Sequence, residues 1–271
     1  MSIGENIKKL REERGFTQEQ FAEAVGVTFQ AVSSWERDTY KPDLDKVMKL
    51  ADALEVSISG IVEDKIGCFQ TKETIYNWEH MKTYVKTTAG NLKLGDTLKA
   101  VDFAVEAHAG QKRKKSQVPY IYHPLNLACH ALSMGIQEDE IIAACMLHDV
   151  VEDCGKTIDE LPVSAETREL VKLLTHNKTT PENRDEVMEH YYDAIEGNPK
   201  AALIKCIDRC NNLTTMAWGL SRERIFRMIR ETERYYPRLI KIIKNEPNYR
   251  NAAWLLKYQI ESMLDIYKRL L

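Results

Sequence analysis

The chain has 271 residues, of which 44% are hydrophobic and 29% are charged, and its formal net charge is −3. This composition suits one or two globular domains, and the near-neutral charge of the whole chain favours neither a nucleic-acid nor a membrane partner. No apolar run approaches the roughly 20 residues of a membrane span, and the N-terminus lacks a signal-peptide core. The six cysteines include no C-x-x-C pair, so we expect a reduced, cytoplasmic protein.

The first 65 residues predict several short helices separated by glycine turns. The apolar stripe of IGENIKKLREERG ends at Gly15, as an amphipathic helix would. Thr17 is placed to cap the helix QEQFAEAVG, and after a turn at Gly26 Thr28 is placed to cap FQAVSSWERD. A short helix, a glycine turn and a second short helix form the helix-turn-helix pattern.

The stretch LREERGFTQEQFAEAVGVTFQAVSSWERDTYKPDLDKVMKLADALEVSI resembles, along its whole length, the DNA-binding domain of the Xre/Cro/phage-repressor family. The resemblance implies a five-helix domain over residues 1–65, an ion pair between Arg11 and Glu36, and a core position for Trp35. In this family the second helix touches phosphate and the third reads base edges. The residues that the resemblance assigns to DNA contact are Gln18, Thr28, Phe29, Gln30 and Ser33.

Two features of this segment differ from what is usual in a DNA-binding domain. Asp38 stands where the family often has glycine, and residues 1–65 hold nine Lys and Arg against thirteen Asp and Glu, a net charge of −4. DNA binding needs a basic face, so a helix-turn-helix that serves dimerisation or protein docking stays open as an alternative. If the domain binds DNA, we expect a homodimer, because repressor-type domains read paired half-sites.

Residues 66–94 predict a linker, since their polarity is mixed and TTAGN is a break, with room for one helix around Ile75–Val85. Helical periodicity resumes at Thr97 and continues to Leu271, without an alternating strand pattern of any length. Residues 95–271 are therefore predicted to form a second, larger, all-helical domain. The fold class predicted for the whole chain is all-α.

The segment CMLHDVVEDC places four polar groups in an otherwise apolar stretch. On a helix His148, Asp149, Glu152 and Asp153 fall within an arc of roughly 140°. The preceding IIAACML is apolar almost all round, which is typical of a buried helix. Charged groups at the end of a buried helix need partners, and an adjacent His-Asp pair suits a divalent ion such as Mn, Fe or Zn.

Two further candidate ligands lie in apolar helical settings, His123 in YIYHPLN and Asp208 in LIKCIDRCNNL. A histidine, a His-Asp pair and an aspartate on three separate helices resemble the HD phosphohydrolase superfamily. AHAGQKRKKSQVPYIYHPLN, AACMLHDVVEDCGKTIDEL and LIKCIDRCNNLTTM narrow the resemblance to the hydrolase domain of the RelA/SpoT homologues, over about residues 97–220. The likeness is greatest to the stand-alone small alarmone hydrolases.

This resemblance implies an enzyme that removes the 3′-pyrophosphate of the guanosine alarmone (p)ppGpp with Mn²⁺ as cofactor. Glu152 and Asp153 would position and deprotonate the attacking water. The implied metal ligands are His123, His148, Asp149 and Asp208. A ligand with several phosphates needs a cationic rim, and the implied substrate contacts are Lys112, Arg113, Lys114, Lys205, Arg209, Asn212 and Thr215.

Several alternatives stay open. The family usually has a Ser-Gly-Glu-Pro-Tyr-like turn before the histidine, whereas this chain has KSQVPY. An adenosine alarmone, NADPH or another nucleotide, and a divalent metal other than manganese, are therefore alternatives. The helical domain could also sense a nucleotide for a transcriptional regulator with little or no turnover.

For single residues, simpler roles are weighed against the functional ones. Lys205 and Arg209 could be ion-pair partners of buried carboxylates, and Tyr120 is expected to pack rather than to stack on a base. Cys206 and Cys210 flank Asp208 at helical spacing, which is more typical of two small core residues than of metal ligands.

Overall fold

The computed structural model describes residues 2–54, 56, 58, 61, 77–113, 118–176, 180, 183–216 and 221–270. The chain divides into two compact units, Met1–Ile75 and Tyr76–Leu271. Within the described residues every regular element is a helix, and one isolated backbone bridge joins Lys112 to Pro119. The all-α prediction is therefore confirmed. None of the helices in these ranges is both long enough and apolar enough to cross a bilayer.

The first unit contains α1 (Ile3–Glu13), α2 (Gln18–Val25), α3 (Phe29–Glu36) and α4 (Leu44–Leu54). The side chains of Thr17 and Thr28 cap α2 and α3 as predicted, and Gly26 turns the chain between them with φ 72°. Apolar faces of the four helices meet in one core. The predicted fifth helix falls largely on residues outside the described ranges.

Helices α1 and α3 approach each other so closely that Gly4 has no room for a side chain. A Cβ there would lie 2.1 Å from the carbonyl oxygen of Trp35. Asp38 follows α3 with φ 55°, in the left-handed region that favours glycine. Its carboxylate accepts hydrogen bonds from the Ser2 hydroxyl and the Gly4 amide, and these bonds lower its pKa. The carboxylate thus joins the end of α3 to the start of α1.

The ion pair expected between Arg11 and Glu36 is present and buried. Arg11 Nε lies 2.6 Å from Glu36 Oε1, and Arg11 Nη1 donates to the carbonyl of Phe16 at 2.7 Å. Trp35 is 6% exposed, which confirms its core position. These contacts fix α1, the turn after it and α3 as one body.

The second unit is a larger helical bundle. It begins at α5 (Trp78–Leu92), whose Val85 and Ala89 are buried in the core of this unit. The linker predicted over residues 66–94 is therefore corrected at its C-terminal end, because the apolar face of α5 packs on α6 and α7. The helices that follow are α6 (Gly95–Ala107), α7 (Tyr122–Ser133), α8 (Asp139–Leu147), α9 (Val150–Asp153), α10 (Ala165–Leu174), α11 (Arg184–Glu196), α12 (Pro199–Thr215), α13 (Arg222–Asn245) and α14 (Arg250–Leu270).

Helix α8 lies at the centre of this bundle and packs against α6, α7, α10 and α12. Every residue from Ile141 to Leu147 is buried, as the apolar composition predicted. The Asp139 carboxylate accepts hydrogen bonds from the backbone amides of Asp96 and Thr97 at 2.8 and 2.7 Å, so the start of α8 also caps α6. This anchoring fixes where the polar residues after Leu147 emerge.

The substitution Gly4→Ala is expected to destabilise the first unit by about 1–3 kcal/mol, because the new methyl group must displace the Trp35 carbonyl. Hydrogen exchange measured by mass spectrometry on peptides of α1 and α3 should show the loss of protection. Gly90→Ala is the control, since a Cβ at Gly90 in α5 meets nothing within 4 Å. Unchanged exchange in the Gly4→Ala protein would contradict the close approach.

Candidate metal centre

Two imidazoles and two carboxylates converge where α7, α8 and α12 meet. His123 Nε2 lies 3.3 Å from His148 Nε2, 3.4 Å from Asp149 Oδ2 and 3.3 Å from Asp208 Oδ1. His148 Nε2 lies 3.1 Å from Asp149 Oδ2. The structure therefore brings together all four side chains that were predicted as metal ligands. Among the described residues, His123, His148 and Asp149 form a group whose ligand atoms all lie within 4.8 Å of one another, close enough to share one ion.

The carboxylates of this cluster are held in their charged form. Burial alone would raise the pKa of Asp149, but the charge on His148 and a hydrogen bond from His123 hold it well below its ordinary value. Burial likewise opposes ionisation of Asp208, and the charge of Lys205 with a hydrogen bond from His123 lowers its pKa strongly. Burial lowers the pKa of His123, but the two carboxylates raise it to about 9. The cluster thus attracts positive charge.

Hydrogen bonds behind the two imidazoles aim their Nε2 atoms at the centre. His123 Nδ1 lies 2.6 Å from Asn211 Oδ1, and His148 Nδ1 lies 3.0 Å from the Cys145 carbonyl. Because both partners are acceptors, each Nδ1 carries the proton and, in the neutral ring, each Nε2 offers its lone pair. Two such nitrogens with two carboxylates suit Mn, Fe or Zn. The residues present therefore fit a divalent metal ion.

The acids predicted to handle water lie on α9. Glu152 Oε1 accepts a hydrogen bond from the backbone amide of His176 at 2.8 Å, and its Oε2 is 3.7 Å from His176 Nε2. Burial raises the pKa of Glu152. A general base works best when its pKa is near the operating pH, and this shift brings the pKa of Glu152 closer to that value. Asp153 is exposed at the end of the same helix.

Three of the predicted substrate contacts meet beside the cluster. Arg113 donates to Thr215 Oγ1 at 3.0 Å and to Asn212 Oδ1 at 3.2 Å. Asn212 Nδ2 in turn donates to Asp208 Oδ1 at 2.6 Å. Lys112 is exposed next to Arg113, and Lys114 lies outside the described residues.

The two basic residues of α12 have different environments. Lys205 Nζ lies 3.2 Å from Asp208 Oδ2, so its ammonium belongs to the site. Arg209 is 6% exposed and turns away: it donates to the Glu231 carboxylate and, at 3.2 Å, to the Tyr192 hydroxyl. The predicted substrate contact at Arg209 is therefore corrected to an ion pair that joins α12 to α13.

In the first unit, the residues predicted to contact DNA differ in how exposed their side chains are and in whether those side chains already have a partner. Gln18 Nε2 donates to Glu36 Oε2 at 2.6 Å, so its amide supports the buried ion pair. Ser33 is half-buried. The side chains exposed at the start of α3 are Thr28, Phe29 and Gln30.

Residues 100–239, more than half of the chain, match the family described as HD domain. The chain belongs to the HD domain family. Residues 7–61 match the family described as helix-turn-helix.

Named relatives match this HD protein over part of its length. It is 32% identical over 169 residues to a guanosine-3′,5′-bis(diphosphate) 3′-pyrophosphohydrolase of Aquifex aeolicus, a match that covers 60% of this chain and 22% of that protein. It is 36% identical over 120 residues to the guanosine-3′,5′-bis(diphosphate) 3′-pyrophosphohydrolase MESH1 of Mus musculus, covering 43% of this chain and 66% of that protein. The HD protein thus spans less than two thirds of the length of these relatives.

A solved structure, described as a metazoan ortholog of SpoT that hydrolyses ppGpp, resembles the HD protein with a TM-score of 0.51 and 20% sequence identity. The match covers 64% of this chain and 96% of that chain. The two proteins therefore share a fold over that part of this chain.

Three contacts of the HD site were missed from the sequence. Tyr120 donates from its hydroxyl to Asp149 Oδ2 at 2.7 Å and stacks on His108 with ring centroids 4.8 Å apart, so packing alone does not describe it. Asn211 supports His123, and His176 holds Glu152. Tyr120 lies three positions before His123, and Asn211 lies three positions after Asp208. That spacing was an available signal.

The cysteines that flank Asp208 are confirmed as core residues. Cys206 is fully buried and Cys210 is 3% exposed. Burial raises the pKa of the Cys206 thiol well above its ordinary value and that of Cys210 to about 12. Both stay protonated at neutral pH, whereas a metal ligand would be a thiolate.

The substitution Asn211→Ala is expected to weaken binding of a divalent metal about 10- to 100-fold, because His123 loses the acceptor that fixes its ring. Titration of the metal-free HD protein with Mn²⁺ in a calorimeter measures this. Asn211→Asp keeps an acceptor in place and should retain most of the affinity. An equal loss in both variants would show that the hydrogen bond to His123 is not the cause.

Proposed function

We propose that this HD protein is a manganese-dependent nucleotide pyrophosphohydrolase that removes the 3′-pyrophosphate of a (p)ppGpp-like guanosine alarmone. The observation that carries the proposal is the convergence of His123, His148, Asp149 and Asp208 beside Glu152, a carboxylate whose pKa is raised. Relatives at 32% and 36% identity are named as enzymes of this activity, which supports the choice of substrate.

In this proposal the four converging side chains hold the metal, and Tyr120 and Asn211 keep Asp149 and His123 in position. A divalent ion bound there supplies Lewis acidity, which lowers the pKa of water and polarises phosphoryl oxygens. Glu152, fixed by the amide of His176, accepts the proton of the attacking water. Because its pKa is raised, Glu152 can later return that proton to the leaving group.

The substrate phosphates meet the groups around Asp208. The guanidinium of Arg113 is held by two neutral partners, Asn212 and Thr215, which it can exchange for phosphate oxygens in a bidentate contact. Lys205 adds a positive charge within 3.2 Å of Asp208. Positive charge on two sides of the centre therefore suits a ligand with several phosphate groups.

With Mn²⁺, purified protein is expected to release pyrophosphate from the guanosine alarmone. Asp149→Ala should abolish release, because it removes a metal ligand. Glu152→Gln should lower kcat about 10²- to 10⁴-fold while Mn²⁺ still binds, because the amide cannot accept the proton. Glu169→Gln, an exposed acid of α10, is the matched control and should be fully active.

The same assay distinguishes the alternatives. Turnover of an adenosine alarmone or NADPH in place of the guanosine nucleotide would keep the chemistry and replace the substrate. Tight nucleotide binding without release of pyrophosphate or phosphate would overturn the enzyme proposal in favour of a nucleotide sensor.

The proposal includes DNA binding by the first unit through α3. Thr28, Phe29 and Gln30 are exposed at its start, while Val32 and Trp35 of the same helix are buried. A helix that is buried on one face and exposes Phe29 and Gln30 near its N-terminus is suited to the major groove. We expect a dimer that reads two half-sites, in which DNA binding regulates or is regulated by the hydrolase unit.

Selection from random duplexes with the full chain is expected to enrich a sequence with two related half-sites. Gln30→Ala should weaken binding to that sequence by about 1–3 kcal/mol, the usual contribution of one base contact. Thr39→Ala changes an exposed residue beyond α3 and should bind as the parent does. If no sequence is enriched, the helix-turn-helix serves docking or dimerisation instead.

A further inference from the structure

A second concave surface of the HD unit lies on α11 and α13 and contains none of the metal-centre residues. It is a groove of about 710 Å³, within the range of small-molecule sites. Phe226 lines it and is 41% exposed. Four arginines also line the groove: Arg184, Arg227, Arg230 and Arg234.

Two of these arginines are without a partner among the described residues. Among the residues that the structure describes, Arg227 and Arg230 make no hydrogen bond or ion pair. Both are exposed, and with Arg234 they follow the i, i+3, i+7 spacing that places side chains on one face of α13. Three guanidinium groups thus lie along one wall of the groove.

The carboxylates of the groove do not cancel this charge. Glu231 already pairs with buried Arg209 and lies 3.3 Å from Arg184. The charge of Arg209, which does not line the groove, therefore balances that of Glu231. The other two acids are Asp185 and Glu223. Among the lining residues, four arginines stand against three carboxylates. With the two outside partners, Arg209 of Glu231 and Glu189 of Arg234, the count is five against four. One positive charge remains in excess either way, and the groove is suited to an anion.

We propose that this groove is a second binding site, separate from the metal centre, for a nucleoside polyphosphate. Planar guanidinium groups bind phosphate oxygens in pairs, and Arg227 and Arg230 are free to do so. Phe226 offers an exposed ring on which a base can stack. A ligand with phosphate groups and a base would contact both the arginines and the Phe226 ring, whereas a bare anion would leave the ring unused.

The site is tested by calorimetric titration of the metal-free full chain in EDTA with GDP. Arg227→Gln/Arg230→Gln is expected to remove one binding event or to weaken it at least about tenfold, because two charged hydrogen-bond donors are lost. Lys241→Gln/Lys244→Gln removes the same charge from exposed positions of the same helix outside this groove and should bind GDP as the parent does. Arg113→Gln, which alters only the metal-centre side, should keep the groove event.

A second arm tests the base. Inorganic pyrophosphate should bind the groove more weakly than GDP, and Phe226→Ala should remove that difference. Equal GDP binding by parent and Arg227→Gln/Arg230→Gln proteins would overturn the site, as would an equal loss in the lysine control. Equal affinity for GDP and pyrophosphate in the parent would overturn the nucleotide assignment. Because no turnover is measured, these outcomes are independent of the proposed hydrolase activity.

Discussion

The buried carboxylate of Asp208 and the half-buried one of Asp149 lie against two buried imidazoles, and together they set the conditions that the rest of the HD unit must meet. Charged groups removed from water need close partners, and Asp149 and Asp208 find theirs on three different helices. Tyr120, Asn211 and Lys205 supply the remaining hydrogen bonds and charge. The position of α7, α8 and α12 relative to one another is therefore fixed by polar contacts as well as by the apolar core, which is the preorganisation that metal chemistry requires.

Much of this arrangement could be predicted from the sequence. A helix that is apolar on every face must be buried. The segment IIAACML therefore predicted that His148 and Asp149 directly follow the end of a core helix. His123 and Asp208 were recognisable because each is a polar residue in an apolar helical setting. The N-caps Thr17 and Thr28 were found for a similar reason, since capping depends on residues only three positions apart.

The features that could not be predicted depend on where side chains point in the folded protein. Arg209 follows Asp208 immediately, yet one helical step of about 100° turns it toward Glu231 on a helix 22 residues later in the chain. His176 reaches Glu152 from a loop, and no periodicity links the two. The predicted linker extended too far toward the C-terminus because α5 has few apolar residues. Only the packing of α5 against α6 and α7 shows that it belongs to the bundle.

The Arg209–Glu231 ion pair has a consequence for how the two helices can change over evolution. Removing Glu231 leaves the buried guanidinium of Arg209 without a carboxylate, at a cost of about 3–5 kcal/mol. Removing Arg209 leaves Glu231 with the more exposed Arg184 as its ion-pair partner. Natural substitutions at these two positions should therefore occur together, in one step or through an uncharged intermediate pair. Arg209 adjoins Asp208 of the candidate metal centre, and Glu231 lines the arginine groove. A substitution at either surface therefore limits which substitutions the other surface tolerates.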